Sequence, residues 1–223
     1  MRYEFEGTVE HRETDCMITV PFNVWEVCET VGDAPVRVSL GEVHFICDLI
    51  PRGQGYYDIP ISHDVLEKVE MGHTYHIAIE IVGDAARVAG NSPYSVENPI
   101  RKIDGVDLVT QPWDGLCGQA CIAMIAGTSL EQACDIMKCR EWQANMSKMI
   151  ATLEYLGIRH ADRIVYTLGK QTELPKCCII MERMGRYSHY LVGYDGQYYD
   201  PNMGILREFD MTKVVGYLEI ITG

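Results

Sequence analysis

A cysteine attacks carbonyl carbon as the thiolate, and that form is favoured at a helix N-terminus and beside an imidazolium. Among nine cysteines in the 223-residue chain, Cys117 stands where a helix should begin. It follows the loop Gln111-Pro112-Trp113-Asp114-Gly115-Leu116. It opens the segment Cys117–Ala126, whose Cys117, Ala120, Cys121 and Met124 fall on one helical side and which Gly127 closes. Gly118 is expected to leave room for a substrate carbonyl beside the backbone N–H groups. Gln111, six positions before Cys117, offers an amide N–H as oxyanion donor alongside the Cys117 N–H.

The base must come from another part of the chain. Five of the seven histidines lie in the first half, and His160 sits in a polar stretch. His189 lies in Ser188-His189-Tyr190-Leu191-Val192-Gly193-Tyr194, a strand followed by Asp195-Gly196. That dipeptide favours a type I′ hairpin turn. Centring the turn there pairs Tyr194 with Gln197, so paired residue numbers sum to 391. His189 then falls opposite Asn202 and Asp200 opposite Leu191, which makes His189 and Asp200 diagonal neighbours on one face. Diagonal neighbours are about 7–8 Å apart, within reach of two polar side chains. Asp200 is thus the candidate orienter of the imidazole, as in a catalytic triad. Competing readings stand beside each residue: a buried structural cysteine, a satisfied strand histidine, a turn aspartate before Pro201, and a solvated loop glutamine.

The elements around these residues fall into two groups. Up to residue 82, short runs with partial alternation predict strands at Tyr3–Val9, Met17–Val20, Val36–Leu40, His44–Ile50, Tyr56–Ile61 and Thr74–Val82. Turn signals such as Gly32-Asp33-Ala34-Pro35 and Pro51-Arg52-Gly53-Gln54-Gly55 separate them, with helical turns at Asn23–Thr30 and His63–Glu70. This spacing predicts a small β-barrel over residues 1–88. Residues 89–108 lack periodicity and read as a linker. Residues 109–223 predict an α+β domain, with helices at Cys117–Ala126, after a capping box at Thr128–Glu131, and at Ser147–Leu156. Strands follow at Arg163–Thr167, Cys177–Met181, Ser188–Tyr194, Gln197–Asp200 and Val214–Ile221.

Residues 111–124 and 188–201 resemble the two signature regions of papain-like bacterial cysteine peptidases related to the double-glycine leader peptidases of bacteriocin transporters. The resemblance spans about residues 109–221 and implies glutamine, cysteine, histidine and aspartate acting in that order, at Gln111, Cys117, His189 and Asp200. Leu116 stands where that family commonly has aspartate, and the transporter's membrane and ATPase parts are missing from this sequence. The first half resembles a small bacterial domain family of unknown function with a double-split β-barrel, through Gly7, Val20–Val24, Val36–Gly41 and Leu49–Gly53. That implies a fold and no activity.

Composition narrows the classes. Residues 1–90 carry 16 acids against 6 bases and residues 91–223 carry 16 against 13, so an acidic first half argues against nucleic-acid binding. No apolar run is long enough to span a bilayer, and the first thirty residues lack a signal-peptide pattern. A cytoplasmic protein with free thiols is expected. The pairs Cys117/Cys121, Cys134/Cys139 and Cys177/Cys178 have no zinc spacing, and no cofactor is required. The expected activity is hydrolysis of a peptide, isopeptide or amide bond in a protein or peptide substrate, through a thioester. An acyl transferase or amidase on the same triad, and a non-catalytic protein-binding module, are the alternatives. Trp113, Trp142 and the tyrosines at 187, 190, 194, 198 and 199 are candidates to line a cleft, with cross-strand packing as the competing role.

Overall fold

Alternation of buried and exposed residues sets the strands of the first unit. In the computed structural model, residues 2–12, 15–28, 34–82, 92–184 and 187–222 are described. Two compact units emerge, one of residues 1–86 with 139–143 and one of residues 87–138 with 144–223.

The first unit contains β1 (Arg2–Thr8), β2 (Glu10–Arg12), β3 (Asp15–Thr19), α1 (Val24–Val27), β4 (Pro35–Leu40) and β5 (Val43–Asp48). It continues with β6 (Ile50–Gly53), β7 (Tyr56–Pro60), α2 (His63–Leu66) and β8 (Thr74–Ile81). The strands form two four-stranded antiparallel sheets, ordered β1-β8-β4-β5 and β2-β3-β7-β6. Both sheets supply one core: Val36, Val38, Ile77 and Ile79 come from the first, Ile18, Tyr57 and Ile59 from the second. The expected barrel is corrected in this respect, because among the described residues the ladders do not close. The chain crosses between sheets at Val9 and at Leu49, both buried. The run expected as one strand, His44–Ile50, is therefore split between two sheets. The turn signal at Gly32-Asp33 and the end of the helical turn at Thr30 lie outside the described residues.

Residues 139–143 group with the first unit although they lie between helices of the second. Glu141, 6% exposed, explains part of this. Its carboxylate accepts the His63 N–H at 3.2 Å and so satisfies one unbonded donor at the start of α2.

The second unit holds α3 (Cys117–Ala126), α4 (Leu130–Met137), α5 (Met146–Tyr155), β9 (Val165–Tyr166), β10 (Cys177–Met184) and β11 (Tyr187–Tyr194). Then come β12 (Gln197–Asp200), β13 (Gly204–Leu206), a 3-10 turn (Met211–Lys213) and β14 (Val214–Glu219). The fold is mixed, with a helical portion followed by a six-stranded antiparallel sheet ordered β13-β12-β11-β10-β14-β9. Helix α3 is buried at every position from Gly118 to Ala126, the pattern of a central helix surrounded by protein. The capping box of α4 is one residue later than the sequence suggests: the Ser129 hydroxyl accepts the Gln132 N–H and Gln132 Oε1 accepts the Ser129 N–H, each at 3.1 Å. Asn145 caps α5 by accepting the Lys148 N–H at 2.8 Å.

Part of the segment expected as a linker is anchored within the second unit. Residues 89–91 lie outside the described residues, but 92–108 run as irregular chain along the second unit. The Ile100 N–H bonds Leu156 O at 3.0 Å, and Ile103 is buried. Gly157, at φ +69°, closes α5 where an added Cβ would lie 2.2 Å from Ser95 O. The segment has no periodicity because it is held by separate anchors rather than by a face.

Candidate active site

Leu116 occupies the N-cap of α3 without a side-chain cap, so Cys117 takes the first helical position and remains partly exposed. The first N–H groups of a helix have no partner within it. One neighbouring donor is taken: the Leu116 N–H bonds Gln111 Oε1 at 2.8 Å. Glycine at 118 has a different purpose from the one the sequence suggests. It is buried, and an added Cβ would meet the Ala144 Cβ at 2.6 Å and Met149 Sδ at 3.3 Å. The missing side chain lets α3 pack closely and gives no space to a substrate. Gly118→Ala gains about 1 kcal/mol in helix propensity, while overpacking costs about 1–3 kcal/mol. We expect a net loss of stability, read as a lower urea midpoint.

His189 comes from β11, where it pairs with Glu182 of β10. Asp195 and Gly196 adopt φ of +49° and +77°, as a type I′ turn demands. The β11–β12 ladder follows the expected register through Tyr194–Gln197, Gly193–Tyr198 and Val192–Tyr199. Beyond these pairs the expected pairing does not continue. On the other edge of β12 Asp200 pairs with Gly204 of β13, and Asn202 lies in the turn between β12 and β13, so it does not face His189 across a ladder.

The structure brings Cys117, His189 and Asp200 together. His189 Nε2 lies 3.0 Å from Asp200 Oδ2, with the residues 5% and 3% exposed. The Cys117 side chain is hydrogen-bonded to the same imidazole, which leaves Nδ1 for the sulfur. Burial opposes charge on His189, but the Asp200 hydrogen bond and Cys117 outweigh it and hold its pKa at about 10. Burial likewise opposes charge on Asp200, yet the bond to His189 and the Asn202 and Met203 N–H groups, at 2.8 and 3.1 Å from Oδ1, pull its pKa down. Both carboxylate oxygens are thereby bonded, which offsets the cost of burying an ion pair.

Gln111 is tied to the residues next to Cys117 and Asp200. Its backbone N–H bonds Pro201 O at 3.1 Å, and its side-chain Nε2 donates to Asn202 Oδ1. Nε2 carries two hydrogens, so one is committed to Asn202 and one is left. Sequence reasoning missed Asn202 as a partner of Gln111. The signal was its place directly after Asp200-Pro201, where the return of the chain brings it to the loop before Cys117.

The remaining candidates separate. Burial pushes the Cys177 and Cys178 thiols up to about 12 and the Cys121 thiol well above its usual range. Cys16 and Cys28 are raised as well, first by burial. Of the tyrosines, Tyr190 is buried against Gly118, with its hydroxyl bonded to the Met146 backbone and its pKa pushed by burial to about 12. Tyr198 packs on Phe209 at 5.4 Å between ring centres, and Tyr199 is buried. These three pack rather than line a groove, and the Tyr187 side chain lies outside the described residues. Trp113 is 44% exposed in the loop before Cys117, whereas Trp142 belongs to the first unit. Among the described residues, no group of three or more histidine, cysteine or acidic side chains is placed to hold a metal. No helix of the described residues is long and apolar enough to cross a membrane.

Residues 5–79 match the family model of a domain of unknown function, DUF1905, which lies within the first unit. No curated protein matches the chain.

Proposed function

We propose that the second unit is a papain-like thiol hydrolase domain that cleaves a peptide, isopeptide or amide bond, and that the first unit is an open relative of a split β-barrel. The observation that carries the reading is the chain of hydrogen bonds from Cys117 through His189 to Asp200 at the first turn of a buried helix. The Cys117 thiolate attacks the carbonyl carbon, and the C–O π electrons move to oxygen. The Cys117 N–H and the remaining Gln111 side-chain N–H stabilise that oxyanion. His189, protonated through neutral pH, gives its proton to the leaving amine as the C–N bond breaks. Water, deprotonated by His189, then attacks the thioester, releasing the acid product as the C–S bond breaks and restoring the Cys117 thiolate and protonated His189. Asp200 keeps the ring oriented throughout. The protein as substrate-binding partner takes a polypeptide, and no cofactor enters the reaction.

The test is incubation of the full chain with a proteome-derived peptide library, followed by mass spectrometry for new termini. New termini with the wild type that are absent with Cys117→Ala support hydrolysis. Identical peptide sets with both proteins contradict it. For the oxyanion step, Gln111→Ala is expected to lower kcat on a cleaved peptide by about 10²–10³-fold, the usual effect of losing one such donor. KM should change much less, because the developing charge exists only in the transition state.

A further inference from the structure

An amide side chain can present either its oxygen or its nitrogen to a substrate, and only the nitrogen can stabilise an oxyanion. The orientation of Gln111 is therefore decisive for the proposed reaction. One neighbour of Gln111 has a fixed role: the Leu116 backbone N–H can only donate, and it lies 2.8 Å from Gln111 Oε1. That places Nε2 on the other side, toward Asn202 Oδ1, which accepts from it. The second Nε2 hydrogen is committed to neither partner.

Asn202 also serves the opposite end of the site. Its backbone N–H donates to Asp200 Oδ1 at 2.8 Å, beside the Met203 N–H at 3.1 Å, while Asp200 Oδ2 faces His189. Pro201, between Asp200 and Asn202, accepts the Gln111 backbone N–H at 3.1 Å. Three consecutive residues thus bind the oxyanion donor and the imidazole orienter into one turn.

We infer that Asn202 is a positioning residue: the Leu116 N–H decides which end of the Gln111 amide is nitrogen, the Asn202 side chain anchors that nitrogen in place for the oxyanion, and the Asn202 backbone N–H helps fix Asp200. This rests on the thiol-hydrolase reading given above. The two roles separate by substitution, because Asn202→Ala removes the side-chain acceptor and keeps the backbone N–H. Asn202→Asp keeps an acceptor oxygen.

The experiment compares two reactions of Cys117 in the full chain. Alkylation by iodoacetamide forms a C–S bond with loss of iodide and creates no oxyanion. Acetylation by p-nitrophenyl acetate passes through an oxyanion, forms a thioester and releases p-nitrophenolate. We expect Asn202→Ala to alkylate at the wild-type rate and to acetylate about tenfold more slowly, and Asn202→Asp to restore acetylation. In the Gln111→Ala background, Asn202→Ala should slow acetylation no further. The unchanged alkylation rate serves as the control for folding. Wild-type acetylation by Asn202→Ala, or full additivity with Gln111→Ala, would overturn the role of Asn202. A wild-type Cys117 that alkylates no faster than Cys16 or Cys28 would overturn the hydrolase reading itself.

Discussion

Replacing Cys117 by alanine is expected to lower the proposed peptide hydrolysis by about 10⁴-fold or more, because loss of the proposed covalent nucleophile leaves only binding and the oxyanion donors. Cys121, Cys177 and Cys178 are poor replacements. Cys121, one turn along α3, is fully buried and its thiol is pushed well above its ordinary range by burial, Cys117 and Asp200. Cys177 and Cys178 are buried in β10 with thiols near 12. The check is steady-state turnover of a cleaved peptide by wild type and Cys117→Ala, with thermal unfolding of both. Removal of one sulfur at a partly exposed position should leave the unfolding midpoint nearly unchanged.

The second large effect concerns pH. His189 is held protonated up to about 10, against an ordinary 6.5, with Asp200 the largest of the causes that raise it. In the proposed reaction protonated His189 donates the proton to the leaving amine, so activity should fall as pH rises through about 10. Asp200→Asn removes the carboxylate charge and keeps an acceptor oxygen. The alkaline limb of kcat/KM should then move toward neutral pH. Stability follows the same sign. A pKa raised on folding contributes stability that is fully present below about 6.5 and is lost as pH climbs through about 10. The urea midpoint of the wild type should therefore fall across that window, and that fall should shrink in Asp200→Asn. An alkaline limb that stays in place in Asp200→Asn would contradict the assignment of Asp200.

Much of the site's local framework could be read from residue types. The Asp195-Gly196 dipeptide requires two positive φ angles and so set the β11–β12 register. Gly127 marked the end of α3 because only an αL residue finishes the helix there, at φ +65°. Features made by distant parts of the chain were not legible. β13 has three residues, too few for alternation, and it pairs Asp200 with Gly204 on the edge of β12 opposite β11. β10 runs on to Met184 because Glu182 and Arg183 complete a ladder with His189 and Ser188, although they end the apolar run. Gly118 reads as open space in a sequence and as close packing once Ala144 is placed beside it. The segment 139–143 carries no periodic signal, since Glu141 acts through one hydrogen bond to His63. In the first unit, strand runs were visible, but the crossings at Val9 and Leu49 depend on which sheet each half joins.

The central claim is that the contact with His189 makes Cys117 a nucleophile unlike the other eight cysteines. Its most direct test is competitive alkylation of the native full chain by iodoacetamide at pH 6, quantified cysteine by cysteine by peptide mass spectrometry. Cys117 should be labelled at least about tenfold faster than Cys16 and Cys28, the other thiols that are not buried, and His189→Ala should abolish that advantage. Equal labelling of Cys117, Cys16 and Cys28 in the wild type would contradict it.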